Sequence, residues 1–166
     1  HYLSLHKDIG MSNPKEPCFF SHHENWQEGL EGYHALFPEK RIWGEGSTPY
    51  TKRPIAIENT WKRIHDYNPE ARIIYLVRDP YERIISHYTF SYIRYKTYSP
   101  LTKAIHELDG IIDFSKYYYQ ILPFLKAFGP DQVKIIDMAD LLSQPEQTLK
   151  EVFEFVGAND DDFNYE

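Results

Sequence analysis

Arg78, Arg83 and Ser86 stand at a spacing that can hold an anion. They lie in the segment Arg78-Asp79-Pro80-Tyr81-Glu82-Arg83-Ile84-Ile85-Ser86-His87-Tyr88, directly after the apolar run Ile73–Val77. A guanidinium delivered by a strand end can bind a phosphate through two parallel hydrogen bonds. Ser86 follows about two helical turns later, so its hydroxyl can donate to the same anion. Arg83, about one turn before Ser86, can join that site or pair with an acid. The same residues also fit a plain helix start, with Asp79 as N-cap and Pro80 at the first position. Spacing alone leaves both readings open.

The elements that must position these residues alternate between strand and helix. Residues 72–77 form a nearly continuous β-branched run, the pattern of a strand buried on both faces of a parallel sheet. Pro80 opens a long helical segment to about Tyr95. Upstream, residues 17–20 and 41–44 read as short strands, and residues 25–37 carry apolar positions near helical spacing. A helix with Pro54 in its first turn and Ile57, Trp61, Ile64 and His65 on one face is expected to stop at Asn68-Pro69. Downstream, residues 114–128 form an aromatic-rich helix that Pro123 is expected to kink or break. A last strand covers 133–136. Helices at 141–142 and 145–156 close the chain, with Gly157 as the C-cap. This alternation predicts a three-layer α/β domain with a parallel sheet flanked by helices. Ligands of such sheets bind beyond the carboxyl ends of the strands, where Arg78 stands.

Composition narrows the function classes. The chain has 166 residues and a net charge of −7. Residues 40–103 hold 12 Lys/Arg against 6 Asp/Glu, so a basic middle lies between acidic flanks. That distribution suits a local anion site and argues against nucleic acid as a main partner. No apolar run is long enough to span a bilayer. The single cysteine, Cys18, rules out an internal disulfide and a multi-cysteine zinc site, and reads as a small buried hydrophobe. His22, with His23 and Glu24, has the intrinsic pKa for base work, but adjacent histidines equally suit solvent or a helix cap. They make a weak metal site, and no metal is expected.

The pattern Arg-Asp-Pro-x-x-Arg-x-x-Ser-x-Tyr after a strand resembles the 3′-phosphate-binding segment of sulfotransferases that use 3′-phosphoadenosine 5′-phosphosulfate (PAPS). Other segments resemble that family in the same order. Leu3–His6 is similar to the helix after its phosphate loop. Lys15-Glu16-x-x-Phe19-Phe20 resembles the segment carrying the catalytic Glu in the heparan-sulfate-type branch. Gly44-Glu45-x-Ser47-x-Pro49-Tyr50 resembles its Glu-x-x-Pro-x-Tyr region. Asn68-Pro69, and Asp140-Leu141 before Pro145, also fit. The resemblance implies a P-loop-NTPase-like fold, with PAPS as donor and no metal. Arg78, Ser86 and Arg83 would hold the nucleotide, Glu16 (with His22 second) would be the base, and Glu45, Ser47 and Tyr50 would line the acceptor site. The Lys before Glu16 and the apolar run after it suit either a partly buried carboxyl with a raised pKa, fit for base work, or a surface Glu in a Lys-Glu pair. The acceptor would be a hydroxyl on a glycan or a small metabolite.

Three departures stand out. The family's 5′-phosphosulfate loop and its C-terminal nucleotide-covering loop have no counterpart within residues 1–166, which reads as one domain cut at both ends. Gly46 stands where the heparan-sulfate enzymes place Lys after the Glu. Two other functions compete: a non-catalytic sulfotransferase-like binding or scaffold module, and a phosphotransferase with a related sheet. For location, a bacterial cytosolic enzyme competes with a lumenal domain separated from its anchor. Oligomeric state is not legible.

Overall fold

The computed structural model describes residues 2–22, 29–55, 58–96, 99–159 and 163–165. His23, Glu24, Ile57 and the first part of the helix expected over 25–37 lie outside the described residues. In chain order the elements are α1 (Tyr2–Leu5), β1 (Ile9–Met11), α2 (Leu30–His34), β2 (Ile42–Gly44), α3 (Thr60–Tyr67), β3 (Ile73–Val77), α4 (Pro80–Tyr95), α5 (Leu101–Glu107), α6 (Tyr117–Phe128), β4 (Val133–Asp137), α7 (Met138–Ser143) and α8 (Pro145–Val156). Short 3₁₀ turns at Thr48–Thr51, Asp113–Ser115 and Pro130–Gln132 join them.

All described strand pairing is parallel, and it forms two pairs. β1 lies beside β2, with Ile9 opposite Ile42 and Met11 opposite Gly44. β3 lies beside β4, from Ile73 opposite Val133 to Val77 opposite Asp137. Parallel neighbours need long crossovers, and helices supply them here. The α/β class and the strands at 42–44, 73–77 and 133–137 agree with the sequence pattern. β1 was not foreseen, because Ile-Gly-Met is too short to show a period.

Four expectations are corrected. Residues 17–20 are not a strand: Cys18 sits in the left-handed region and residues 19–21 form a turn, which brings the consecutive Phe19 and Phe20 onto the same side. They enter one aromatic core with Tyr33, Ile64, Ile121, Phe124, Phe128 and Val133. β3 is half-buried, not buried on both faces: Ile73 and Tyr75 pack on that core while Leu76 on the opposite face is 45% exposed. The helix expected from Pro54 begins only at Thr60. Gln120 of α6 clamps the preceding strand of chain, accepting from the Arg53 amide and donating to the Arg53 carbonyl, each at 2.8 Å. That tertiary contact holds residue 53 in a turn whatever the local propensity.

Pro123 does not interrupt α6. A proline removes the bond that its own N–H would give to the carbonyl four residues earlier, here Tyr119. Arg53 replaces that donor: its Nη1 donates to the Tyr119 carbonyl at 2.9 Å, with the guanidinium 4.3 Å from the Tyr119 ring centroid.

The boundaries of α4 and α8 follow local chemistry. The Asp79 carboxylate accepts from the Glu82 amide at 2.9 Å, and Pro80 takes the first turn. Gly157 ends α8 at φ 73°, in the left-handed region where a Cβ is costly. Below α8, a second core joins Ile9, Leu149 and the fully buried Phe153; Phe163 meets the Phe153 ring edge-on, the buried His6 ring lies tilted against it, and His6 and Phe163 stack on each other. Phe153→Ala is expected to lower the unfolding free energy by about 3–5 kcal/mol through lost burial and a residual cavity, read by urea denaturation.

Candidate functional site

The carboxyl ends of β3 and β4 coincide, and Arg78 is the first residue past them. The Tyr117 hydroxyl donates to the Arg78 carbonyl at 2.8 Å, fixing the backbone where the strand turns into α4. The guanidinium folds back over the first turn of α4, where Nη2 donates to Glu82 at 2.8 Å. Glu82 and Ser86 are four residues apart and therefore share a helix face. Arg78, Glu82 and Ser86 thus line one ridge, with Ser86 exposed.

Arg78 Nε is buried and has no hydrogen-bond partner among the described residues. A buried unsatisfied donor costs about 1–3 kcal/mol, so it marks a place where an acceptor would bind favourably. The Glu82 contact is exposed on the acid side, and such (i, i+4) pairs contribute only about 0.3–0.5 kcal/mol. An incoming dianion can displace it readily.

Arg83 looks elsewhere. Its Nε donates to Ser115 Oγ at 2.5 Å, Nη2 donates to the Ile111 carbonyl, and Nη1 lies 3.4 Å from His87 Nδ1. It ties α4 to the turn before α6 and leaves the Arg78–Ser86 ridge. Burial lowers its pKa from the usual guanidinium value, with Arg78 adding to that. His87, four residues after Arg83, stacks on Phe114 at 5.9 Å. Lys52 Nζ lies over the same ring, 5.9 Å from its centroid.

The second half of the site joins residues 16–22 to residues 45–50. Thr48 Oγ1 donates to Glu16 at 2.9 Å. The Cys18 amide donates to Ser47 Oγ at 3.0 Å, and the Phe20 amide to the Tyr50 hydroxyl at 3.3 Å. Ser47 and Tyr50 in turn donate to Glu45, at 3.2 and 2.5 Å. Burial raises the Glu45 pKa despite these hydrogen bonds, and raises those of Tyr33 and Tyr50 beside it.

Glu16 is exposed, which corrects the expectation of partial burial. Pro17, Phe19 and Phe20 take the inward positions, so Glu16 is left at the rim. His22 is also exposed, its amide bonded to the Cys18 carbonyl at 3.1 Å. Cys18 is only partly buried, and desolvation raises its thiol pKa. Among the described residues, no three His, Cys, Asp or Glu side chains are grouped to hold a metal, and no helix is long and apolar enough to cross a membrane. Gln120, His87 and Phe114 escaped the sequence reading as site residues. Only His87 carried a signal, its (i, i+4) spacing from Arg83.

This geometry has relatives. A family model described as "Sulfotransferase family" matches residues 8–162, and the chain belongs to that family. The fold is that of a sulfotransferase from Alicyclobacillus acidocaldarius, at TM-score 0.78 and 24% identity over 99% of this chain and 79% of that one. The sulfotransferase domain of the curacin biosynthetic pathway superposes at TM-score 0.58 and 20% identity over 84% of this chain and 45% of that one. Mouse (Mus musculus) heparan sulfate glucosamine 3-O-sulfotransferase 5 is 26% identical over 93% of this chain and 47% of its own length. The membrane-associated sulfotransferase kil1 of Dictyostelium discoideum is 31% identical over 55% of this chain and 19% of its own. The chain therefore spans less than half the length of these curated relatives.

His87 supplies a pH test of the α4 packing. Burial, then Arg83 and Lys52, lower its pKa from 6.5. The unfolded chain then binds a proton that the folded chain resists, so stability falls as pH drops below about 6.5 toward the folded pKa. Unfolding midpoints measured between pH 8 and 5 should decline less for His87→Gln than for the wild type in that window.

Proposed function

We propose that this chain is the nucleotide-binding core of an enzyme that moves a sulfuryl group from PAPS to a hydroxyl acceptor. The observation that carries the reading is the buried, unpartnered Nε of Arg78, on the same ridge as the exposed Ser86. Arg78 can present a fork of donors to the 3′-phosphate, and Ser86 can add a hydroxyl from the next turn. Arg83 contributes by fixing α4 on the Asp113–Ser115 turn and adds positive potential at second hand.

Glu16 is the proposed base, with exposed His22 as the second candidate. An exposed carboxylate at the rim, steadied by Thr48, can meet an acceptor hydroxyl arriving from solvent. In-line transfer makes the acceptor O–S bond as the donor's sulfur–oxygen bond to the 5′-phosphate breaks, and the hydroxyl proton passes to the base. Donors for the charge that develops on the transferring group are required as well.

The acceptor class is a glycan or small-metabolite hydroxyl. The names of relatives such as the glucosamine 3-O-sulfotransferases favour a glycan. Gly46, where that branch has Lys, argues for a less anionic acceptor than heparan sulfate. A PAPS-dependent transfer assay on the full-length protein, across N-sulfated glucosamine oligosaccharides, neutral oligosaccharides, phenols and amines, separates these cases. Transfer is expected to hydroxyls, and no transfer to any acceptor despite nucleotide binding would favour a scaffold role.

Binding of 3′-phosphoadenosine 5′-phosphate (PAP), measured by calorimetry, tests the ridge directly. Arg78→Ala is expected to weaken it by about 10–100-fold and Ser86→Ala by about 3–10-fold, the range for charged and neutral hydrogen bonds. Glu82→Gln should tighten it by about twofold, because it removes the competing acid. Equal affinity of wild type and Arg78→Ala would end the assignment.

A further inference from the structure

Residues 16–22 carry the proposed base but belong to no helix or strand. Their backbone donors must therefore be satisfied by something other than a ladder. Two of them, on Cys18 and Phe20, meet hydroxyls of the 45–50 loop, and both hydroxyls point their protons at one carboxylate. Each chain of bonds runs amide to hydroxyl to carboxylate: Cys18 to Ser47 to Glu45, and Phe20 to Tyr50 to Glu45.

The direction of these bonds follows from the inventory of donors. A hydroxyl has one proton, and an ionised carboxylate can only accept. Glu45 therefore claims both hydroxyl protons, which turns both hydroxyl oxygens toward N–H groups as acceptors. Ser47 and Tyr50 are then matched to Cys18 and Phe20 and would repel a carbonyl in those places. Cys18 sits at φ 53°, a left-handed conformation uncommon for a residue with a side chain, and it is held there by this bond to Ser47. Thr48, between the two hydroxyl residues, makes the contact to Glu16 itself.

We infer that Glu45 is a positioning residue: through Ser47 and Tyr50 it sets the backbone of residues 16–20, and with it the place of Glu16. This rests on the sulfotransferase reading only in taking Glu16 as the base. The titratable groups that face Glu45 are Tyr50 from its own loop, Tyr33 from α2, Tyr67 from α3 and the Cys18 thiol. None supplies the positive charge that an anionic acceptor's carboxylate or sulfate would seek, so the site suits an internal anchor better than a substrate contact.

The test uses the full-length protein and compares Glu45→Gln, Glu45→Asp, Ser47→Ala and Tyr50→Phe. Three quantities are read: hydrogen exchange of the 18–20 amides, PAP affinity, and turnover with PAPS and the best acceptor of the panel above. A glutamine at 45 must offer N–H to one hydroxyl and so reverses one relay. Glu45→Gln is expected to speed exchange of these amides and lower kcat by about 10–100-fold, the cost of a displaced base, with PAP affinity and donor KM within about threefold. Glu45→Asp should recover part of that loss. Ser47→Ala should release the Cys18 amide and Tyr50→Phe the Phe20 amide, one each, which general destabilisation would not reproduce. These two milder variants carry the test if Glu45→Gln fails to fold.

Unchanged exchange and unchanged turnover in Glu45→Gln would overturn the inference. So would a rise in acceptor KM alone with exchange unchanged, which would make Glu45 a substrate contact. Absence of PAP binding by the wild type would instead defeat the sulfotransferase reading, and the exchange pattern would still decide the relay.

Discussion

Parallel pairing of β3 with β4 is the constraint on which the rest depends. Parallel strands cannot be joined by a tight turn, so the 55 residues between Val77 and Val133 must leave the sheet and return. They do so as α4, α5 and α6, and that excursion builds the site. It starts α4 at the strand end, places Tyr117 under the Arg78 carbonyl, and brings Gln120 and Tyr119 against Arg53. The residue that faces the proposed nucleotide and the residue that steadies it are thus products of one crossover.

Where regular structure is absent, polar side chains take over its work. The segments 16–22 and 45–53 make few ladder bonds, yet their amides are paired with Ser47, Tyr50 and Gln120. A buried amide without a partner would cost as much as a lost core contact, so these side chains are as structural as the aromatic core they border. The same logic explains α6, which survives a proline because an arginine from another segment replaces the missing donor. It also singles out Arg78 Nε, a buried donor for which the described residues supply no acceptor.

Legibility followed the range of the interactions. Residues 73–95 could be read almost in full: the apolar strand, the Asp79 cap, Pro80 in the first turn and the end of α4 near Tyr95 all depend on neighbours within four residues. The same holds for Pro145 and Gly157 at the ends of α8. The order of segments along the chain placed it among the sulfotransferases, and the family match over residues 8–162 agrees.

Tertiary structure decided what local propensity could not encode. Phe19-Phe20 has the letters of a strand, but two adjacent rings both had to enter one core, and the backbone turned to allow it. Pro54 has the position of a helix start, but Gln120 holds the residue before it in a turn. Glu16 looks like a buried base, but its neighbours took the inward places and left it at the rim. Arg83 and Arg78 share a motif, yet one was drawn to Ile111 and Ser115 and the other left with a free buried donor. In each case the deciding partner lies at least 20 residues away in sequence or is set by which side chains win the core. Sequence by itself thus determined the strand, the cap, the helix and the family; only the folded chain determined which of the motif's side chains remain available to a ligand.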